Sequence, residues 1–339
     1  MTAASVFARP RPLFQSPALT AAIIVAAIAV GIGLGGQVIA RQVTSGLLLG
    51  SIYMTVAVAF TLTIGVLNFL NFTIPTLFML TGMVAWGLAS NGLVKFAGSW
   101  AWIVALIVGV AVAVFASLIV ERFTFRYLKM KHGDATEHAI PLVSSLGFLL
   151  IFEHLVLIFL GSESQRFVVP FKADAHIGGL VIGGAQLASC GLSVAVVATL
   201  SYVLRNTKTG RALRTIAENP DTASLLGVEI NKVVPVVFIL TGLLAGLAGA
   251  LFTVNYGSVS PFMGDNVGTK AIAAMVIGGV GSIWGAIAGG LIIGLIETLS
   301  IYFLGGDSVQ MVVWGLLLAI IIVRPSGLFG TAAAGKGKM

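Results

Sequence analysis

Long uncharged apolar blocks alternate with short polar stretches along the whole chain. From Val43 to Val120 the only charge is Lys95, and Ala175–Leu204 and Val233–Gly264 carry none. At about 20 apolar residues per crossing, blocks of this length predict transmembrane helices. The pattern divides into spans over 18–37, 43–67, 74–90, 99–120, 139–160, 187–204, 233–255, a broken segment over 268–303, and 308–323.

Composition agrees with that pattern. Of 339 residues, 58% are hydrophobic and only 9% charged, against about a quarter in a soluble domain. An ordinary soluble enzyme, a disordered chain and a disulfide scaffold are therefore excluded. The net charge of +7 does not point to nucleic acid, because the bases sit in short stretches between neutral blocks. The single Cys190 lies inside an apolar block, which removes a disulfide framework and a thiolate metal site and leaves a small helix-packing residue.

Those bases orient the spans. Arg9, Arg11, Arg122, Arg126, Lys129, Lys131, Arg205, Lys208, Arg211, Arg214, Lys232, Arg324, Lys336 and Lys338 collect on one side, which is 14 of the 19. Arg41, Lys95, Arg166, Lys172 and Lys270 fall on the other. The positive-inside rule makes the first side cytoplasmic, with both termini there. Arg9 and Arg11 precede an apolar run of about 19 residues, longer than a signal-peptide core, and Gln37–Ala40 is a poor cleavage site. That run is read as a retained first span after a cytoplasmic tail, residues 1–17.

Two places break the apolar pattern. Six glycines between Gly278 and Gly290 favour a helix break over Gly278–Gly285, each costing about 1 kcal/mol against alanine in a helix. A re-entrant pair of short helices there returns the C-terminus to the basic side; a glycine-rich packing face of one continuous helix is the alternative. At Asn68-Phe69-Leu70-Asn71-Phe72-Thr73-Ile74-Pro75, Pro75 disfavours helix at Ile74. This second break is either a plain loop or a polar lining. The segment Ser162–Ala188 reads as a small hairpin or cap on the outer side.

One inner loop, about 205–232, is too polar to cross a membrane and too regular to be disordered. Asn219-Pro220-Asp221 reads as an N-cap, a first-turn proline and an acid at the positive helix end. Gly227 stands where a C-terminal glycine belongs, so a helix over Pro220–Leu226 is predicted, with a short basic helix upstream over Gly210–Ala217. Ala223 and Leu226 are spaced i, i+3 and form a small apolar ridge fit for a groove on another protein. A loop folded on its own bundle is the other reading.

The run Gly210-Arg211-Ala212…Ala217-Glu218-Asn219…Ala223…Leu226-Gly227 resembles the cytoplasmic coupling loop of the permeases of ABC importers for branched-chain amino acids. Gly50-Ser51-Ile52-Tyr53, Lys270-Ala271…Gly278–Ala286, Gly289-Gly290 and Arg324–Gly330 are similar to the same family. Where the family carries Asn-Phe-Ala-His-Gly, this chain keeps Asn71-Phe72 and continues Thr73-Ile74-Pro75. The resemblance implies an all-α, polytopic helical bundle with broken or re-entrant helices, one permease domain over 18–330 and a flexible tail over 331–339. It implies import of a branched-chain or other hydrophobic amino acid across a bacterial inner membrane. The implied partners are ABC ATPase subunits, a second identical or homologous permease, an extracytoplasmic solute-binding protein and membrane lipid, with no nucleic acid. ATP and Mg belong to the partner ATPase, and no cofactor or metal is expected on this chain. Arg211, Glu218, Asn219, Pro220, Ala223, Leu226 and Gly227 are the implied coupling residues; Asn68, Asn71, Phe72, Glu153, Gly279, Gly281 and Ser282 are the candidates for the path or gate.

No catalytic chemistry competes with this reading. Gly330–Gly337 imitates a phosphate loop but lacks the Ser or Thr after Lys336 and the helix that must follow. Glu153, beside His154, and Glu297 are carboxylates at apparent membrane depth, where an ionisable group is costly. They motivate the alternative of a proton-coupled transporter or channel for a small polar solute such as urea or an amide. Asp265 and Asp307 fall at span ends, which does not suit an intramembrane aspartyl protease.

Overall fold

A computed structural model of the chain describes residues 17–90, 92, 100–127, 139–168, 174–177 and 180–329. The tails, the Gly330–Gly337 stretch, His132 and His138 lie outside them. The helices are α1 Pro17–Leu67, α2 Thr73–Ser90, α3 Ala101–Val120, α4 Ala139–Leu160, α5 Gly184–Asn206, α6 Lys208–Glu218, α7 Pro220–Leu225, α8 Ile230–Tyr256, α9 Met263–Gly278, α10 Ile283–Leu304 and α11 Val309–Val323. A π-helical stretch, Glu121–Tyr127, extends α3. Eight described segments are long and apolar enough to cross a membrane.

The expected turn between spans 18–37 and 43–67 is absent: α1 is one helix of 51 residues, about 76 Å long. Gln37-Val38-Ile39-Ala40-Arg41-Gln42-Val43 contains neither proline nor glycine, so nothing stops the helix there. The predicted break over 268–303 is present. α9 and α10 are antiparallel arms of a hairpin that turns at Gly279–Ser282, and α9 starts at Met263 with 16 residues, about 24 Å. The hairpin is tight because a Cβ on Gly278 would enter the Gly285 carbonyl, and one on Gly289 the Ala274 carbonyl oxygen.

α1 is the axis of the bundle. Residues 52–60 of α1 are all buried, and the helix packs antiparallel on α10. Gly46 and Gly50 meet Leu291, Gly294, Leu295 and Thr298, while Gly290 meets Met54. Two small-xxx-small pairs, Gly46/Gly50 and Gly290/Gly294, thus let the backbones touch, which is how helices associate without a hydrophobic drive. α8 fits α2 and α3 similarly: Gly249 lies on the Phe78 carbonyl, and the Ser117 hydroxyl donates to the Phe238 carbonyl at 2.7 Å. α4 and α11 lie at the periphery.

The bundle has two ends. The ends of α1 and α5, the α9–α10 turn and the 205–232 loop share one, which carries Arg205, Lys208, Arg211, Arg214 and Lys232 and is called the basic face below. The strap after α11 joins it: Leu328 and Phe329 amides donate to the Ile277 and Gly278 carbonyls at 2.8 and 2.9 Å. At the opposite face the expected small cap is a pair of two-stranded sheets. β1 (Gln165–Arg166) pairs with β4 (Ser258–Val259), and β2 (Asp174–Ile177) with β3 (Leu180–Gly183).

The hairpin contact sets a test. Gly289→Val is expected to destabilise the protein by about 1–3 kcal/mol through overpacking. Gly315→Ala, where a Cβ meets nothing inside a regular helix, should not destabilise it and is expected to raise stability by up to about 1 kcal/mol. Thermal unfolding of the detergent-solubilised variants measures both.

Candidate coupling and translocation site

α6 is held against the bundle. The Thr207 hydroxyl accepts from the Gly210 amide at 3.1 Å and donates to the Val203 carbonyl at 2.6 Å, capping α6 while sealing the end of α5. Leu213 and Ile216 are buried, whereas Arg211, Arg214 and Glu218 are exposed. Asn219 is the predicted N-cap of α7: its Oδ1 accepts from the Thr222 amide at 3.1 Å. Gly227 takes φ +82°, and the Gly227 and Val228 amides donate to the Ser224 and Ala223 carbonyls, both at 3.0 Å. This is a Schellman end, and it requires glycine there.

Ala223 and Leu226 do not form the expected ridge. Ala223 is fully buried, whereas Leu225 and Leu226 are 87% and 71% exposed. A helix of six residues turns only once and a half, and Ala223 is the side chain that meets the bundle. The apolar surface offered outward is the adjacent pair Leu225–Leu226.

Among the path candidates, Asn68 ends α1 in the left-handed region at φ +56° and is exposed. Asn71 is buried and works locally: its Oδ1 accepts from the Thr73 amide at 3.0 Å and the Thr73 hydroxyl at 2.7 Å. The Phe72 amide donates to the Ser145 hydroxyl of α4 at 3.2 Å, so this break is a packed turn. Gly279 and Gly281 have φ of +110° and +83°, and Ser282 Oγ caps α10 through the Gly285 amide at 3.1 Å. Gly65, one turn before Asn68, faces Gly281. These two clusters therefore meet at the basic face. Glu153 does not join them; it is half-buried further along α4, and His154 directs Nδ1 to the Leu150 carbonyl at 2.8 Å rather than to Glu153.

The strongest polar arrangement was not among the predicted path residues. Lys270, counted above among the outer-side bases, is half-buried in α9, and its Nζ lies 2.5 Å from Glu297 Oε1 on α10. The Tyr53 hydroxyl of α1 donates to Glu297 Oε2 at 2.7 Å, and Lys270 Nζ lies 3.3 Å from that hydroxyl and 5.6 Å from the Tyr53 ring centroid. The signal was the hairpin register. Gly278 opposite Gly285 and Ala274 opposite Gly289 put Lys270 opposite Ile293, one turn from Glu297. The trio floors a cavity of about 310 Å³ that also takes in Tyr256, Ser260 and Asn266 beneath the β1–β4 cap. Tyr256 stacks on Phe252 with ring centroids 4.3 Å apart. No group of three or more His, Cys, Asp or Glu able to hold a metal occurs among the described residues.

A helical membrane bundle with a capped protrusion on its basic face and two small sheets at the other has the layout of a transport subunit. The chain belongs to the family described as branched-chain amino acid transport system / permease component, whose profile matches residues 42–322. It is 29% identical to the high-affinity branched-chain amino acid transport system permease protein LivH of Escherichia coli K12, over 86% of this chain and 95% of that one. It is 28% identical to BraD of Pseudomonas aeruginosa PAO1 over the same shares. The fructose import permease protein FrcC of Rhizobium meliloti is 35% identical, over 38% of each chain.

With Lys270 and Glu297 side chains only 15% and 10% exposed, removing one charge strands the other. Glu297→Gln is expected to destabilise by about 3–5 kcal/mol, and Lys270→Met combined with Glu297→Leu to recover most of that loss. Unfolding midpoints of the two variants and the wild type give the comparison; equal losses would contradict it.

Proposed function

We propose that this chain is the membrane-spanning subunit of an ATP-driven importer of branched-chain or other hydrophobic amino acids. The observation that carries the reading is the rigid α6–α7 protrusion, capped at both ends of α7 and presenting Leu225–Leu226 outward, on a chain matched by the permease family over nearly its whole bundle. The amino-acid substrate rests on LivH and BraD, which align along 86% of the chain, whereas FrcC aligns along only 38%.

A separate ATPase, holding ATP and Mg, grips Leu225–Leu226 at the basic face. That face is cytoplasmic by the positive-inside rule, which places the C-terminus there too, in a bacterial inner membrane. α6 touches α1 and α8, and α7 touches α8, so displacement of the protrusion moves the two central helices directly. α1 carries Tyr53, so the same movement reaches the Lys270–Glu297 pair under the opposite face. A second permease copy or homologue completes the path, and an extracytoplasmic binding protein delivers the solute at the β1–β4 cap. ATP drives the cycle because the ATPase binds the two states of the bundle with different affinity. Glu153 lies apart from the basic-face turns, and the Nδ1 of its neighbour His154 is taken up by the Leu150 carbonyl.

In reconstituted vesicles with its ATPase and binding protein, Leu226→Asp is expected to reduce leucine uptake at least tenfold. The ATPase should no longer co-purify, while the permease still inserts. Uptake that survives this substitution together with Leu225→Asp overturns the coupling assignment.

A further inference from the structure

At the basic face a second cavity, of about 360 Å³, opens between α1, α5, α6 and the α9–α10 turn. Its floor is apolar, formed by Leu62, Val66, Leu204 and Leu213, and its rim carries Arg205 and Arg214. Both guanidiniums are held in place. Arg205 lies 5.6 Å from the centroid of the Trp284 ring, and Arg214 Nη2 donates to the Arg205 carbonyl at 3.2 Å. Two like charges are thus brought to one rim, and among the described residues neither forms an ion pair with a carboxylate.

We propose that this cavity binds the phosphodiester headgroup of an anionic phospholipid. Planar guanidiniums recognise phosphate oxygens through paired N–H donors, and basic pockets between membrane helices on the cytoplasmic side suit such headgroups. Arg205 stands in the last turn of an apolar span, the depth at which a span leaves the hydrocarbon and the lipid phosphates begin. Free phosphate would satisfy the arginines and leave the apolar floor empty; the glycerol and first acyl carbons of a lipid fill it. The bound lipid ties the end of α5 to α6 and to the start of α10. The anionic lipid content of the membrane therefore sets how firmly the protrusion is joined to the bundle. This inference does not depend on which solute is carried.

The test uses the purified full-length permease in detergent, titrated with phosphatidylglycerol, phosphatidylcholine or inorganic phosphate and read by native mass spectrometry and thermal unfolding. One phosphatidylglycerol per protomer is expected to be retained in preference to phosphatidylcholine and to raise the unfolding midpoint, with millimolar phosphate having no such effect. Arg205→Gln with Arg214→Gln should weaken retention about 30-fold, at roughly a factor of five per arginine. Arg214→Lys, which keeps the charge, should weaken it less than Arg214→Gln. Equal retention of the two lipids by the wild type overturns the proposal without recourse to any variant. So does protection by free phosphate equal to that by lipid, or displacement of the lipid on adding the ATPase, which would assign the arginines to that protein interface.

Discussion

The close antiparallel contact of α1 with α10 is the constraint on which the remaining structure depends. In lipid, helices gain nothing from hiding apolar surface from one another, so they associate through packing and polar contacts. Gly46 and Gly50 on one helix and Gly290 and Gly294 on the other bring the backbones together. Only at that separation can Tyr53 reach Glu297 with a hydrogen bond of 2.7 Å. Because α10 is also one arm of the α9–α10 hairpin, the same contact fixes Lys270. Glycines here do two opposite things: Gly279 and Gly281 break the helix, whereas Gly285, Gly289 and Gly290 sit within a regular helix and let it be approached.

The axis therefore links two chemically different ends. At the basic face α1 is touched by α6, and beneath the opposite face it carries a tyrosine of the ion-pair trio. α8 is the second link, since it receives α6 and α7 at one end and leads into β4 of the cap at the other. In the coupling proposed above, a rigid body with two contacts to the central helices transmits displacement without needing a wire of side chains. The caps at Thr207, Asn219 and Gly227 matter for that reason: a six-residue helix does not hold its shape in water unaided.

Much of this was legible in the residues. The spans follow from runs of apolar residues, and the polar 205–232 loop announced α7 by Asn219, Pro220 and Gly227, because caps are local chemistry. The break at Gly278–Gly285 was legible for the same reason. What failed was what depends on packing between elements. Span counting placed a turn at Arg41, yet an exposed arginine is no helix breaker, and α1 runs on. The i, i+3 spacing of Ala223 and Leu226 says that they are near each other, not which of them meets the bundle. Lys270 was counted simply as an outer-side base, because a charge count says nothing of pairing; its partner lies 27 residues away across the hairpin. Asn71, noticed as a polar residue at a break, is only half accounted for by local contacts: its Oδ1 is used by the adjacent Thr73, and its buried Nδ2 has no hydrogen-bond partner among the described residues.

The Lys270–Glu297 pair is a poor choice if stability alone is the criterion, since taking two charges out of water offsets much of their attraction. Its value lies in register. The glycines bring α9 and α10 together near the turn, but a surface of small residues offers few knobs to hold the arms in register further along. A lysine and a glutamate that meet in one alignment only, with Tyr53 of a third helix completing the set, supply the lock that glycine cannot. Close approach and fixed register are thus met by two different residue types on the same helices, and neither suffices without the other. That division explains why charges appear at this depth in a chain that otherwise keeps 9% of its residues charged and places most of them in the loops.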